Sequence, residues 1–348
     1  MKLGIIGLPG AGKSTIFSAL TGARGESGPS RTPSKEQVLG TVKVADERVD
    51  FLTGLYRPKK TTYAQVEYLL PSAILSGVKA GAENAVWNQV RACDALIHVI
   101  RNFKPPGGPA PSPEEDFWRL EEEMILNDMM VVEKRMERID LDRKRGKKEN
   151  EKEYQLLGSC RDLLETSAPI RRDQGLALAP ELRGFTFLSA KPELVVINNE
   201  DDDPASPPWS APPEGVETMV VRGRLEMDIS SMSPEEAEEF LTEYGIEKTA
   251  LDRVIRASYK LLNLISFFTV LNEEVRAWTI TRGTTALDAA GTVHSDMKRG
   301  FIRAEVLSFQ HLKEYGSFQE AKRAGQVRLE GKDYRVQDGD IINFRFNL

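Results

Sequence analysis

The chain has 348 residues, 40% of them hydrophobic and 29% charged, which is the balance of an ordinary globular protein with room for two or three domains. Its formal net charge of -6 excludes binding to nucleic acid through an overall positive field, so an RNA contact would need a local patch. Two cysteines without metal-ligand spacing, no signal-peptide pattern and no apolar run approaching ~20 residues indicate a cytoplasmic protein with no membrane partner.

The N-terminal stretch has the spacing of a phosphate-binding loop. A short apolar run at residues 2–6 predicts a buried parallel strand, and Gly7, four further residues and then Gly12-Lys13-Ser14 follow it. The pattern G-x-x-x-x-G-K-S is that of P-loop NTPases. Apolar residues recur at helical spacing after Lys13 until Gly22, so the motif has the strand before it and the helix after it that a P-loop needs. A glycine-rich turn in another α/β protein is the alternative.

We therefore predict a site for a purine nucleoside triphosphate, ATP or GTP, together with Mg²⁺. Glycines let backbone N–H groups turn toward a phosphate, and the helix that begins here directs its positive end at the anion. Lys13 can reach the β- and γ-oxygens and is the candidate catalytic residue, and the Ser14 hydroxyl is the candidate metal ligand. The loop residues that we expect to bind the nucleotide are Leu8, Pro9, Gly10, Ala11, Gly12, Lys13, Ser14 and Thr15.

A candidate first switch follows the first predicted helix. Residues 25–34 are small, polar and glycine-rich, and they occupy the place where P-loop switch proteins have a mobile loop. Thr32 or Ser34 could ligate Mg²⁺ from there. A plain surface loop is the alternative.

The candidate second switch departs from the usual pattern. Alternation predicts strands at 38–44 and 64–70, with a helix at 47–55 between them. The second of these strands is where most switch GTPases carry D-x-x-G, whose Asp bonds a water on Mg²⁺ and whose Gly senses the γ-phosphate. Here the residues from Glu67 to Ser72 contain neither Asp nor Gly, and Glu67 is the one acid among them that could substitute. We therefore expect slow hydrolysis or none.

A long helical hairpin is predicted in the middle of the chain. A helix at 82–94 and an apolar strand at 95–100 precede it, and His98 inside that strand is better explained as a core histidine than as a catalytic one. The segment from Lys104 to Pro113 has the composition of a linker. Apolar residues at alternating spacing then predict two packed helices; they are Ile125, Met129, Val132, Met136 and Ile139 on one, and Tyr154, Leu157, Leu164 and Ala168 on the other.

The tip of this hairpin is strongly basic. Its cations are Arg143, Lys144, Arg145, Lys147 and Lys148. A basic run at the apex of a projecting hairpin is what a contact to RNA or to a ribosome would need, and a solvated helix end is the alternative.

The α/β pattern resumes with predicted strands at 185–188, 194–197 and 216–221. Ligands of such sheets bind at the carboxyl ends of the strands, and Asn198 and Asp201 stand at one of these ends. An amide and a carboxylate at this position could read the edge of a purine base.

The last third of the chain changes its pattern. Beyond a proline-rich loop at 202–213, Ser233 is expected to cap a helix that begins at Pro234, and residues 251–264 predict an amphipathic helix. From residue 275 onward, short strands separated by turns are typical of a small β-rich module. These strands are predicted at 275–280, 301–306, 334–336 and 341–346, with the turn 337–340 joining the last two.

The order of these parts resembles the YchF / Obg-like ATPase family, of which this chain would be a divergent member. The resemblance lies in the segments GLPGAGKST, KPELVVIN, LDRVIRASYKLLNLISFFTV, EVRAWTI, AAGTVHSDMKRGFIRAEV and EGKDYRVQDGDIINFRFN. It implies the α/β class, with a P-loop NTPase domain of the Ras-like G type at 1–103 and 176–276. It also implies an inserted α-helical coiled-coil hairpin at 112–172 and a C-terminal TGS domain of β-grasp form at 277–348.

The resemblance further implies a protein that favours ATP and associates with ribosomes. Asn198 matches the base-reading Asn of the family's N-x-x-E motif, whose Glu falls one residue early as Glu200, with Asp201 at the nominal position. The S-A-K-like element of the family's last base loop is replaced here by Arg222-Gly223-Arg224, so Arg222 and Gly223 are the candidate residues of that loop. The family's D-x-A-G-L is replaced by residues 67–72.

Two functions are left open by these residues. The first is a switch with slow, Mg²⁺-dependent hydrolysis in ribosome- or translation-associated regulation, which the intact pair Lys13-Ser14 favours. The second is a catalytically degenerate module that binds nucleotide and grips a ribosome or rRNA through the hairpin tip and the TGS domain, which the altered second switch favours. We expect a monomer in either case. A nucleotide kinase would need an arginine-rich lid, for which the sequence offers no candidate.

Overall fold

The computed structural model describes residues 1–22, 37–71, 82–147, 150–210, 215–244, 249–271 and 273–347. They divide into a first unit, Met1–Thr41 with Glu67–Ser258, and a second unit, Val42–Val66 with Tyr259–Leu348. The strands are β1 (Lys2–Ile6), β2 (Val38–Lys43), β3 (Lys60–Thr62), β4 (Gln65–Leu70), β5 (Ala95–Asn102), β6 (Glu193–Asn199), β7 (Glu217–Val221), β8 (Leu264–Leu271), β9 (Glu274–Thr281), β10 (Phe301–Ser308), β11 (Arg328–Glu330) and β12 (Asp340–Phe346).

The helices alternate with these strands in the first unit and cluster after them in the second. They are α1 (Lys13–Thr21), α2 (Glu47–Tyr56), α3 (Ala82–Arg91), α4 (Pro113–Lys144), α5 (Glu151–Glu165), α6 (Gln174–Ala177), α7 (Gly223–Ser231), α8 (Pro234–Glu243), α9 (Ala250–Leu261), α10 (Ala286–Val293), α11 (Ser295–Arg299), α12 (Phe309–Tyr315) and α13 (Phe318–Arg323). None of the helices in the described part of the chain combines the length and the apolar character that crossing a bilayer requires.

The sheet of the first unit has the strand order β2-β4-β1-β5-β6-β7. From β4 to β7 each neighbouring pair is parallel. The central strands β1, β5 and β6 are almost entirely buried, as expected for a parallel sheet covered on both faces. Because the strands run in one direction, the loops that follow β1, β5, β6 and β7 leave the sheet at the same edge.

The inserted hairpin is formed by α4 and α5. Their predicted seam is confirmed, since Ile125, Val132, Met136 and Ile139 of α4 lie in one buried cluster with Leu157, Cys160 and Leu164 of α5. At the root of the hairpin the buried carboxylate of Asp128 accepts hydrogen bonds from the backbone N–H groups of Leu188 (3.0 Å) and Ser189 (2.7 Å). This buried acceptor ties α4 to the chain that leads into β6.

The second unit is built on a sheet of order β11-β10-β12-β8-β9-β3. Its apolar core includes Phe267 of β8, Ala289 of α10 and Phe344 of β12. The segment Val42–Val66 belongs to this unit because β3 pairs in parallel with β9 and because Arg48 of α2 forms an ion pair with Asp338 at 3.0 Å. Neither β3 nor β8 is among the strands predicted from the sequence.

Two predicted strands are wrong. Residues 185–188 are not a strand: a 3₁₀ turn occupies Pro180–Phe185, and Thr186 has the left-handed φ of 49°, which a continuing strand cannot accommodate. Residues 334–336 form only an isolated bridge between Arg335 and Thr285.

The predicted closing pair of strands at the C-terminus is therefore wrong as well. The backbone of 334–336 bonds to the segment before α10, since Ala286 N donates to the Tyr334 carbonyl at 2.8 Å and Val336 N donates to the Thr284 carbonyl at 3.1 Å. The last strand, β12, pairs with β10 and β8 instead. The turn predicted at 337–340 is present, with Asp340 N donating to the Gln337 carbonyl at 3.2 Å, but it does not join two paired strands.

The helix predicted at 251–264 ends earlier than expected. The helix α9 stops at Leu261, and Asn263, with the left-handed φ of 51°, turns the chain into β8.

The predicted domains are parts of the chain that would fold separately. Their bounds, 1–103 with 176–276, 112–172 and 277–348, stay a prediction.

Candidate functional site

The loop after β1 leads directly into α1, as a P-loop requires. Gly12 is the residue before the helix, with the left-handed φ of 89°, and α1 begins at Lys13. Among the described residues no side chain caps this end of the helix, and its first turn has no acidic residue. The free N–H groups and the positive end of the helix dipole are therefore available to an anion.

Lys13 is the buried cation of this loop. Its ammonium donates to the carbonyls of Gly7 at 2.8 Å and of Leu8 at 2.7 Å. Burial lowers its pKa from 10.5 to about 8, because no carboxylate is among the partners that stabilise its charge in the described chain. A phosphate bound at the end of α1 would supply that missing negative charge. Ser14, the next residue, is exposed on the first turn of the helix.

Asn198 joins the phosphate loop to the two loops beyond it. Its Nδ2 donates to the Ala11 carbonyl at 3.1 Å, and its Oδ1 accepts from the backbone N–H of Gly223 at 3.0 Å. Asn198 is buried near the end of β6, and among the described residues these two groups are the hydrogen-bond partners of its side chain. The geometry requires glycine on both sides: a Cβ at Gly12 would lie 2.2 Å from Asn198 Nδ2, and one at Gly223 would lie 2.7 Å from its Oδ1.

Asp201 and Arg222 lie beside this junction. The carboxylate of Asp201 accepts from the backbone N–H of Leu225 at 3.1 Å, in the first turn of α7, and Arg222 donates to the Asp201 carbonyl at 3.4 Å. Glu200 is engaged on the other side, where it accepts from the backbone N–H of Lys104 at 2.8 Å. The carboxylate of Asp201 is therefore bonded to the N-terminal turn of α7 through Oδ1, and its Oδ2 does not take part in that bond.

The structure thus brings most of the predicted site residues together. The phosphate loop, Asn198 and Gly223 are connected by the bonds of a single amide, and Asp201 and Arg222 are connected to each other at the start of α7. Thr32, Ser34 and Ser72 lie outside the described residues.

Glu67 is not brought to this edge. In the parallel pairing of β1 with β4, Glu67 lies opposite Lys2, at the amino end of β1, while the phosphate loop begins after its carboxyl end. At about 3.3 Å per residue, several residues of strand separate the two positions. The expectation that Glu67 could substitute for the acid of the second switch is therefore wrong.

Phe103 is a neighbour of the loop that the sequence reasoning missed. A Cβ built on Gly12 would lie 3.8 Å from Cε1 of its ring. The signal available in the sequence was an aromatic residue three positions after the predicted apolar strand 95–100, near the carboxyl edge where ligands bind. His98 within the same strand is a core residue, as predicted: it is buried, and its Nδ1 lies 2.7 Å from Glu193 Oε1.

Comparisons with known proteins agree with this arrangement. A family model described as a 50S ribosome-binding GTPase (MMR_HSR1) matches residues 2–135, and the model YchF-GTPase_C, described as a protein of unknown function (DUF933), matches residues 264–347. The chain is 38% identical over 364 residues to the ribosome-binding ATPase YchF of Bacillus subtilis, with 100% of each chain covered. It is 36% identical over 360 residues to the ribosome-binding ATPase YchF of Escherichia coli O157:H7, with 100% of this chain and 99% of the relative covered.

A solved structure gives the same answer for the fold. The Schizosaccharomyces pombe YchF GTPase superposes with a TM-score of 0.84 at 28% sequence identity, with 99% of this chain and 97% of that chain covered. Three findings indicate one family: the match of a GTPase model at the N-terminus, the match of a YchF C-terminal model, and similarity to YchF relatives over the full length. This chain belongs to the YchF / Obg-like ATPase family.

Proposed function

We propose that this protein binds a purine nucleoside triphosphate with Mg²⁺ and uses slow hydrolysis as a switch in ribosome-associated regulation. The observation that carries the proposal is the uncapped start of α1 next to the buried ammonium of Lys13, whose partners in the described part of the chain are two carbonyls. An anion with several oxygens would satisfy both features at once.

The phosphates would lie against the loop from Leu8 to Thr15. Lys13 would exchange carbonyl partners for β- and γ-oxygens and stabilise the charge that develops between them. The exposed hydroxyl of Ser14, on the same helical turn, is of the chemistry that ligates Mg²⁺ beside nucleotide phosphates, and the metal would neutralise part of the phosphate charge.

The base would lie toward Asn198, Asp201, Arg222 and Gly223. These residues gather at the ends of β6 and β7, where the guanidinium of Arg222 offers donors and the second carboxylate oxygen of Asp201 offers an acceptor. ATP and GTP present different donors and acceptors along their base edges, so this corner of the site would set the preference between them.

A ribosome or its RNA is the proposed macromolecular partner, because both bacterial relatives are named ribosome-binding ATPases. At the hairpin tip Arg143, Lys144, Arg145 and Lys147 are exposed, and Lys148 lies outside the described residues. The proposed second contact is the C-terminal TGS domain. We also propose that the protein is cytoplasmic and acts as a monomer.

The alternative is a module that binds nucleotide without turning it over. It is favoured by Glu67, whose position opposite Lys2 leaves the described part of the second-switch strand without an acid at the phosphate edge.

One pair of measurements tests the function and separates the two forms. Titration calorimetry of ATP and GTP with Mg²⁺ should show binding of at least one nucleotide, and the Lys13→Ala variant should lose most of that affinity. Unchanged affinity in the variant would contradict the site. Release of phosphate above background in a single turnover would support the switch, and its absence despite tight binding would favour the binding module.

A further inference from the structure

Four ionisable side chains meet inside the first unit, away from the nucleotide site. They are His98 on β5, Glu121 on α4, Arg171 in the 3₁₀ turn that follows the hairpin, and Glu193 on β6. The side chains of His98, Glu121 and Glu193 are at most 1% exposed, and that of Arg171 is 12% exposed. We call these four residues the root cluster.

The contacts of the root cluster run in one chain. The Nη2 atom of Arg171 lies 2.6 Å from Glu193 Oε2 and also contacts Glu121 Oε2. The other oxygen of Glu193 lies 2.7 Å from His98 Nδ1. One guanidinium nitrogen is thus shared by two buried carboxylates, and the imidazole bonds only one of them.

The charges of this cluster do not balance if both carboxylates are ionised and His98 is neutral. Burial of an uncompensated charge is costly, and two carboxylates that share a site normally hold one proton between them. Oε1 of Glu121 has no hydrogen-bond partner in the described chain, and the contact of Glu193 Oε2 with Arg171 Nη2 is an ion pair without hydrogen-bond geometry. A proton on one carboxyl group would remove the excess charge. It would also let the protonated oxygen donate a hydrogen bond to an oxygen of the other carboxylate.

A metal ion is a less suitable solution for the same residues. One ligand atom from each of His98, Glu121 and Glu193 lies within 4.8 Å of the others, a spacing that a cation could bridge. The Arg171 guanidinium, however, already contacts both carboxylates and supplies the positive charge there.

We propose that Glu121 and Glu193 hold a single shared proton at neutral pH, and that the root cluster is a proton-dependent clamp between the hairpin root and the strands β5 and β6. In the protonated form Arg171 and one negative charge balance each other, and α4 is held to the sheet. Loss of the proton leaves two negative charges against one guanidinium, and their repulsion loosens α4 and the turn of Arg171 from the sheet.

The direction of the pH dependence follows from the protonated group. Burial raises the pKa of Glu121 to about 8, with the charge of Glu193 as the next cause, while Arg171 and His98 help to hold the pKa of Glu193 at about 2. The folded state therefore binds more protons than the unfolded state between about pH 4.5 and 8. Stability from this group is fully present at the acidic side of that window and is lost as the pH rises through 8.

Other charged groups near the cluster have partners that do not depend on Glu121. Asp128, on the same helix, bonds Arg91 at 3.1 Å, and Lys191, before β6, donates to the carbonyls of Arg91 and Cys93. Asp116 on α4 is within electrostatic reach of both His98 and Arg101 of β5. The expected slope between pH 6 and 8 thus belongs to the pair of carboxylates.

The test uses the full-length protein and three forms of it. Urea unfolding is measured from pH 6 to 9 for the wild type, for Glu121→Gln, which imitates the protonated carboxyl, and for Glu122→Gln, an exposed neighbour on α4 that serves as the control. Between pH 6 and 8 the unfolding constant of the wild type and of the control should rise by up to tenfold per pH unit relative to Glu121→Gln, and above pH 8 the difference should level off. Equal slopes in all three would overturn the proposal.

A spectroscopic measurement on the wild type keeps the test decisive if the variant does not fold. Infrared spectra should show the C=O stretch of a buried carboxylic acid at pH 6.5, and the band should disappear on titration past pH 8. Hydrogen exchange in residues 113–128 should become faster over the same range, after correction for the intrinsic rate. A missing band at pH 6.5 would refute the shared proton. Stabilisation of the wild type by Zn²⁺ or Mn²⁺, absent in Glu121→Gln, would replace the clamp with a metal site.

Discussion

Asn198 donates a hydrogen bond from its side-chain amide to the backbone carbonyl of Ala11, across 187 residues of sequence, at 3.1 Å. The same amide accepts from Gly223, so one buried side chain fixes the phosphate loop relative to the start of α7. The part of the site that would hold phosphates and the part that would hold the base are therefore not independent.

The first prediction removes this link. Asn198→Ala leaves the Ala11 carbonyl and the Gly223 N–H without their partner, and each buried unsatisfied group costs about 1–3 kcal/mol. We expect nucleotide affinity to fall about tenfold or more, because part of the binding energy would be spent on ordering the two loops. Calorimetric titration with Mg²⁺-ATP measures the loss.

A matched control for that variant is Asn127→Ala. Asn127 also uses its side-chain amide to bond a backbone carbonyl, that of Glu123, but it does so within α4 at 2.8 Å. Its removal should leave affinity unchanged. If Asn198→Ala binds as tightly as the control, the two loops are held in place by other contacts.

The second prediction concerns the close approach of Gly223 to Asn198. In Gly223→Ala the new Cβ would lie 2.7 Å from Asn198 Oδ1 and 2.8 Å from Ile16 Cδ1, which forces α7 away from α1. We expect a loss of about 1–3 kcal/mol in unfolding free energy and weaker nucleotide binding. Gly158→Ala is the comparison, because a Cβ there meets nothing within 4 Å and replaces glycine inside a helix. That variant should gain about 0.5–1 kcal/mol, and equal losses in both would contradict the steric explanation.

The phosphate loop was predictable because everything it needs is local in sequence. The strand before Gly7, the glycine at the helix start and the lysine that follows are all within residues 2–15, so the motif is recognisable without knowledge of any distant partner. The seam of α4 and α5 was predictable for a related reason: each helix carries its own apolar period, and a short connection makes them neighbours.

The elements that sequence reasoning missed depend on partners far away in the chain. The strand β3 is three residues long and is stabilised by β9, more than two hundred residues later. The apolar strand β8 follows an amphipathic helix closely, and only Leu262 and the left-handed Asn263 separate the two. The root cluster was invisible for the same reason, since Glu121, Arg171 and Glu193 come from separate segments that only the fold brings together.

The third prediction tests the basic hairpin tip. Replacing Arg143, Lys144, Arg145, Lys147 and Lys148 with glutamine should reduce co-sedimentation with ribosomes at least tenfold and make the remaining binding less sensitive to salt, because fewer phosphate contacts release fewer counterions. Part of this charge is already balanced, since Arg143 pairs with Glu151 at 3.4 Å and Lys147 with Asp142 at 2.8 Å. The loss should therefore be smaller than five free cations would give.

The control for the tip keeps to the same hairpin. Arg119, Lys134 and Arg138 are exposed along the body of α4, and their replacement with glutamine should leave sedimentation nearly unchanged. Equal losses in both variants would mean that overall charge, and not the tip, governs the contact. No loss in either would return the tip to an ordinary solvated helix end.

The last prediction follows from the burial of Lys13. Its pKa, lowered to about 8, means that the unfolded chain binds this proton more tightly than the folded one between about pH 8 and 10.5. Stability of the nucleotide-free protein should therefore rise with pH through that window. Nucleotide phosphates favour the charged ammonium, so binding above pH 8 must take up a proton, and affinity should fall by up to tenfold per pH unit. Calorimetry at pH 8.5 in buffers of different ionisation enthalpy measures that uptake as a fraction of one proton per nucleotide, and Lys13→Gln should bind weakly and without it. Affinity that is flat from pH 7 to 9.5 in the wild type would mean that the ammonium does not contact the phosphates, whatever else the loop binds.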